Sequence, residues 1–209
     1  MKKLAFIMIA VLTVTISMAQ DDEFQTVFGS EELSISGFGG PFMSFNTVAG
    51  NFAHMMGGGG GIILNDKILF GGYGIGKTTR ISLNQSKVND PVFEQTYAAE
   101  LDNMELDFGH GGLFAGYVLN GNAALHPVFI VQFGWGNASI AEYEYAPYRS
   151  DNIFVLNPVI ELEMNVTQFL RVGIGANYTL VTGVNNLFEY KDADFSSPGA
   201  FLSFKFGWF

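Results

Sequence analysis

Gly71-Gly72-Tyr73-Gly74-Ile75-Gly76-Lys77-Thr78 fits the G-x-x-x-x-G-K-[ST] pattern letter for letter. In the right setting, that pattern wraps backbone N–H groups around a phosphate. The setting is a buried strand running into a loop that opens a helix, whose N-terminus faces the anion. Here Thr79-Arg80-Ile81-Ser82-Leu83-Asn84 follows, β-branched and polar, with no apolar 3.6 repeat. The glycines are therefore expected to be small interior-facing residues of a third strand. His54, His110 and His126 have no H-x-x-x-H spacing and sit in no nucleophile motif. His110 with Asp107 imitates part of a His–carboxylate pair, but no Ser follows at close spacing. With no Cys, thiolate metal sites, disulfides and Cys nucleophiles are excluded. Neither a metal nor a cofactor is expected.

Two further segments invite a binding reading. Glu142-Tyr143-Glu144-Tyr145-Ala146-Pro147-Tyr148-Arg149 alternates phenols with acids and ends on a guanidinium. Tyr gives large contact area at small entropy cost, so Tyr143, Tyr145, Tyr148 and Arg149 are candidate contacts for an outside ligand. The competing reading is a ring of interfacial aromatics. Gly57 to Gly61 is a run of five glycines inside a strand pattern. It makes room either for bulky neighbours or for a small ligand cavity.

Composition narrows the class. Glycine makes up 26 of 209 residues, 15% are aromatic, only 14% are charged, and Phe alone contributes 21. The net charge is −10; phosphate-backbone binding needs a basic patch, so nucleic acid is excluded as a partner. Met1-Lys2-Lys3, the apolar run Leu4 to Ile16 and the small residues of Ser17-Met18-Ala19 have the layout of a secretory signal peptide over 1–19, cut after Ala19. Downstream of Gln20 no window holds the eighteen or so apolar residues of a membrane helix. An apolar chain without a helical span fits a soluble core, or a transmembrane barrel whose strands are only half apolar.

Alternation at period two runs through the chain and marks strands. Phe154, Leu156, Pro158, Ile160, Leu162 and Met164 oppose Asn157, Glu161 and Glu163; Leu170, Val172, Ile174, Ala176, Tyr178 and Leu180 oppose Arg171 and its neighbours. Pro127 to Trp135, Met104 to Phe108 and Leu202 to Trp208 repeat the pattern. A phase slip is expected at His110-Gly111-Gly112, as a bulge would give. Segments 33–45, 54–64 and 67–80 complete eight strands. Asn65-Asp66, Asn120-Gly121 and Asn165-Val166 read as tight turns, and longer polar links are expected at 46–53, 81–102, 141–151 and 182–198. Short turns on one side and long loops on the other, with an even strand count, characterise outer-membrane barrels.

With the leader, the eight alternating strands and the terminal Phe209, the chain resembles the small eight-stranded outer-membrane β-barrel proteins of Gram-negative bacteria. Within them it looks like an uncharacterised glycine-rich group carrying segments such as Gly37-Phe38-Gly39-Gly40-Pro41, His110-Gly111-Gly112-Leu113 and Asp151-Asn152-Ile153-Phe154-Val155. The resemblance spans 33–209. It implies an all-β, closed, antiparallel up-and-down barrel in the outer membrane, with residues 20–32 as an acidic periplasmic segment. It also implies that Phe209 is a C-terminal signal for the barrel-assembly machinery. Outer-membrane lipid, that machinery and an unidentified surface ligand are the expected partners. A structural or surface-interaction role through the outside loops is expected rather than an enzyme or a general porin. The alternatives are a secreted or periplasmic soluble barrel binding a small ligand, a narrow solute channel and, last, a barrel-rim lipid-modifying enzyme.

If the apolar phase meets lipid, Glu105, Asp107, Glu161, Glu163, Arg171 and Lys205 all point into a bore just wide enough for side chains. Charges so confined must pair. The turn at Asn165-Val166 puts residue 161 roughly opposite 171, so a Glu161–Arg171 bridge is expected, with Lys205 reaching the remaining carboxylates.

Overall fold

A computed structural model describes residues 33–142 and 147–209. The leader 1–19, the acidic segment 20–32, Tyr143 and Tyr145 lie outside the described residues. Eight strands are described: β1 (Ile35–Val48), β2 (Asn51–Leu64), β3 (Ile68–Lys77), β4 (Met104–Val118), β5 (Leu125–Glu142), β6 (Arg149–Asn165), β7 (Leu170–Thr182) and β8 (Ser197–Gly207). Each pairs antiparallel with the next, and β1 pairs with β8, closing the barrel in the order β1-β2-β3-β4-β5-β6-β7-β8. Closure leaves no unpaired edge. Two short helices, α1 (Pro91–Thr96) and α2 (Asp192–Phe195), lie in the loops. No described helix is long and apolar enough to cross a membrane.

The alternation resolves into an inner and an outer face. Along β6 the side chains from Asp151 to Glu163 are buried at odd positions and exposed at even ones. The exposed set is Phe154, Leu156, Ile160, Leu162 and Met164, joined by Ile174 (65% exposed) and Trp135 (63%) on neighbouring strands. The apolar phase therefore faces outward.

Near one end the pattern reverses. Met104, Leu106 and Phe108 are buried inside β4, while Glu105 and Asp107 alternate to its outer face. The expected bulge at His110-Gly111-Gly112 is not formed, because β4 runs in unbroken register with both β3 and β5. One phase thus holds from Met104 to Val118. What changes along it is the surroundings: at this end the interior is covered by apolar loops, and the outer face is polar.

The turns 65–67, 119–124 and 166–169 share one end, and the loops following β1, β3, β5 and β7 share the other. One expected long link is absent. Residues 46–53 belong largely to β1 and β2, joined only by Ala49 and Gly50, with φ of 50° and 78°. Positive φ at both central residues is the type I′ geometry that matches strand twist, and Gly50 takes it without steric cost.

The phosphate-loop match lies within β3, with no helix after it. Gly71 faces inward with Tyr73 and Ile75; Gly72, Gly74 and Gly76 fall on the outer face, against the expectation that all these glycines face inside. The run Gly57–Gly61 lies in β2, paired in register with Gly71 to Ile75. A Cβ at Gly59 would stand 3.4 Å from the Phe42 ring and 3.2 Å from Tyr73 Cβ, and one at Gly71 would meet the Phe114 ring. These glycines give their space to inward aromatics. At the hairpin, Ala49 holds a left-handed conformation that costs an alanine about 1 kcal/mol, a cost that Gly avoids and that Asn offsets through its short polar side chain. Ala49→Gly or Ala49→Asn is therefore expected to raise the urea midpoint of the barrel in lipid vesicles, and Gly50→Val to lower it.

Candidate functional site

The charged centre of the bore sits near the turn end. Glu161 and Glu163 on β6 and Lys205 on β8 are each almost wholly buried. Lys205 Nζ donates to Glu161 Oε2 at 2.8 Å and also to Glu163 Oε2. Glu161 additionally accepts from the Ser203 hydroxyl. Arg171 Nη1 donates to Glu163 Oε1 at 3.3 Å, and its guanidinium lies 3.9 Å from the Phe209 ring centre. Two carboxylates and two cations thus neutralise one another in a space water scarcely reaches.

The bridge expected between Glu161 and Arg171 is replaced by one between Glu163 and Arg171. The β6–β7 register pairs Arg171 with Asn165 and Glu161 with Gly175; the turn is longer than the sequence pattern implies, which moves the partner of Arg171 by four residues. The long arginine then reaches back diagonally to Glu163. Glu105 and Asp107 are not part of this centre. They stand on the outer face at the loop end, beside Arg80 (3.4 Å) and Lys77 (3.3 Å) respectively.

His126, on β5, completes the centre and was not anticipated. Its Nε2 lies 3.2 Å from Glu163 Oε1 and its Nδ1 3.0 Å from the Ala123 carbonyl, with the ring fully buried. The signal was present: His126 falls in the same alternation phase as Gln132, opposite the apolar set Phe129, Val131 and Phe133.

Above the charges, the bore is crossed by neutral hydrogen bonds. Asn157 Nδ2 donates to Gln132 Oε1 at 2.7 Å, and Asn177 Nδ2 to Asn157 Oδ1 at 2.9 Å. On the other side Tyr73 OH meets His110 Nδ1 at 3.0 Å.

The loop end is closed by the outermost part of the apolar core. Ile81, Leu83, Val88 and Phe93 from the β3–β4 loop pack with Leu187, Tyr190 and Phe195 from the β7–β8 loop. Asp90 caps α1, accepting from the Val92 and Phe93 N–H groups, with Pro91 at the first helical position. Asp151 accepts three bonds, from the backbone N–H of Asn185 and of Asn186 and from the Asn186 side chain, at 2.6 to 2.8 Å. Asn84 N–H donates to the Tyr190 hydroxyl at 2.9 Å, and burial pushes that phenol up from its ordinary value.

Of the candidate contacts, Tyr148 packs its ring 4.8 Å from Tyr97, and Arg149 is held by Asp90 at 2.8 Å, by the Asn186 carbonyl at 3.2 Å and over the Phe188 ring at 4.2 Å. Phe188 has a φ of 53°, a conformation a bulky residue keeps only when its surroundings enforce it. Arg149, Asp90 and Phe188 line, with Asn89, Asn185 and Asn186, a polar depression of about 330 Å³, from which Tyr148 is absent. Phe209 at the opposite end stacks on Arg171 and is half-buried, while Phe206 and Trp208 point outward.

Solved structures with the same architecture include two bacterial surface barrels. The Neisserial surface protein A superposes with a TM-score of 0.57 at 11% identity, covering 85% of this chain and 99% of that one. The N-terminal β-barrel domain of Pseudomonas aeruginosa OprF gives 0.52 at 12% identity, covering 85% and 100%. The fold is that of the small eight-stranded outer-membrane β-barrels. The sequence matches no protein-family model and no curated protein. At these identities the likeness is one of architecture.

Because Lys205 serves both carboxylates, its loss strands more charge than that of Arg171. Lys205→Met is expected to destabilise the barrel by about 3–5 kcal/mol, the usual cost of breaking a buried ion pair. Arg171→Met should cost less, and Lys205→Met with Glu161→Gln should recover part of the loss. Urea unfolding in vesicles measures the series.

Proposed function

We propose that the chain is an outer-membrane barrel with a bore closed to solute flow, acting in a structural or surface-interaction role through the loop end. The observation that carries this reading is the filled interior: a neutralised charge centre at one end, carboxamides across the middle and an apolar plug under the loops. Water and ions have no continuous polar path through such a stack. The outward apolar wall supports a lipid setting, since a soluble barrel holding a ligand would turn Phe129, Val131, Ile160 and Ile174 inward.

The loop end suits recognition because its groups are held before any partner arrives. Arg149 is fixed between a carboxylate, a carbonyl and an aromatic ring, and the loops are tied down by Asp151. Immobilised side chains lose little further entropy on binding. The chain is read as non-enzymatic: His110 has a phenol beside it and no serine, and the carboxylates of the bore are bound to cations. The barrel-assembly machinery is the expected partner during insertion, with Phe209 at the end it would read.

The protein is expected to sediment with outer membranes, to migrate differently on gels before and after boiling, and to give no steady conductance in a planar bilayer. A soluble, heat-insensitive protein or a stable single-channel current would refute the proposal. Tags inserted between Glu142 and Arg149 should be accessible on intact cells and tags at Asn120-Gly121 should not; the reverse pattern would invert the orientation.

A further inference from the structure

Among the described residues, three buried side-chain atoms have no hydrogen-bond partner: Ser36 Oγ, Asn165 Oδ1 and Arg171 Nε. All three belong to inward positions at the turn end of the bore. Native structures leave few such atoms, so each asks for a reason. Asn165 and Arg171 stand directly opposite each other on β6 and β7. Both line a cavity of about 250 Å³ among the turns, together with Asn122, Thr167, Gln168 and Phe209.

Neither atom is satisfied by turning its side chain. Asn165 Nδ2 donates to the carbonyls of Gly121 and Ala123, at 2.9 Å each. Reversing the carboxamide would set its oxygen against those two oxygens, so Oδ1 needs a donor from elsewhere. Arg171 uses Nη1 on Glu163, and its guanidinium lies 3.9 Å from the Phe209 ring centre. With that plane fixed, the edge carrying Nε is left over. Thr167 Oγ1 accepts from the N–H groups of Phe169 and Leu170, which leaves its hydroxyl hydrogen to give.

The cavity thus offers two donors, one of them a cation, and one acceptor. The Nε edge of a guanidinium is a fork for the paired oxygens of a carboxylate. A bare carboxylate answers only part of the site, having no hydrogen for Asn165 Oδ1. The last residue of a peptide answers all of it, because its own N–H lies one carbon away from its carboxylate. Glu163 is also held by Lys205 and His126, so Arg171 can share its charge without leaving that carboxylate unpaired. The volume falls below the roughly 300–1,000 Å³ of sites that enclose a whole small molecule, which suits a chain end. We propose that this cavity binds the free carboxylate end of a peptide, with the carboxylate on Arg171 and the terminal N–H on Asn165. The site lies at the opposite end from the loops and does not depend on the role proposed for them.

The test uses the full-length protein in phosphatidylcholine nanodiscs, with the Arg171 Nε–H signal followed by nitrogen NMR. The probes are acetyl-glycyl-alanine, its C-terminal amide, acetate and inorganic phosphate. Acetyl-glycyl-alanine is expected to move the signal saturably. The amide, which lacks the carboxylate, and acetate, which lacks the N–H, should each bind severalfold more weakly. Arg171→Lys keeps the charge but removes the fork, and should weaken peptide binding severalfold when read on the Asn165 side-chain signal. A heat-dependent gel shift verifies that this variant is folded, and the wild-type series decides the matter if it is not. Equal binding of acid and amide would overturn the proposal, as would acetate binding as tightly as the peptide. Phosphate binding more tightly than the peptide would make this an anion site of another class and overturn it too. A signal that no probe moves, up to the limit of solubility, would remove the site altogether.

Discussion

Everything in this molecule follows from closing eight strands into a ring. Once β1 meets β8 there is no free edge, and every second side chain is committed to a bore of fixed and narrow section. A charge placed there can neither reach solvent nor turn away, so it must be matched within reach of its own side chain. Glu161, Glu163, Lys205, Arg171 and His126 are one solution to that requirement, and Gln132, Asn157 and Asn177 are its neutral counterpart one layer up. The glycines of β2 and β3 belong to the same constraint: the volume they leave empty is taken by Phe42, Tyr73 and Phe114.

The interior is consequently layered along its axis. Ion pairs occupy the turn end beside β6 to β8, with Ile63, Leu69, Val118 and Val128 filling it beside β2 to β5; amides cross the middle, and loop residues extend the apolar core at the far end. Each layer uses the chemistry that its depth permits. The loop cluster is anchored to β6 by Asp151, which accepts from Asn185 and Asn186, and by the Asp90–Arg149 ion pair. The surface presented at that end is therefore a built one, with Arg149 and Phe188 held in single conformations by their neighbours.

Alternation made the strands and their two sets of side chains legible, because period two is a local property that the sequence states directly. Phe154 to Met164 and Leu170 to Leu180 show which residues share a face, while the burial of Glu161, Glu163 and Arg171 shows which face is the inner one. Three things were not legible. The partner of Arg171 depends on the length of one turn, and a small error there moves the pairing by several residues. The inversion at Glu105 and Asp107 depends on what covers the end of the bore, which is decided by loops distant in sequence. The hairpin at Ala49-Gly50 was hidden because Asn46, Thr47 and Asn51 look like loop residues, although Asn46 is an inward side chain donating to Thr179 and Ser197.

Pairing between β1 and β8 is interrupted beside Pro41, running from Gly39 with Phe206 to Phe42 with Ser203, and this is the one strand pair that joins the two ends of the barrel. Every other pair is a hairpin whose partners lie close along the chain, whereas β1 and β8 are separated by all the strands between them. Bringing distant segments together carries the largest loop-closure entropy, and non-local pairing slows folding. The final closure thus gains fewest hydrogen bonds where its entropic cost is greatest. The two ends of the barrel are also held by side chains that reach across the joint, among them the Ser197 hydroxyl, which accepts from the Thr47 N–H and donates to the Thr47 carbonyl. The ring has a clasp, and the clasp carries its shortest ladder.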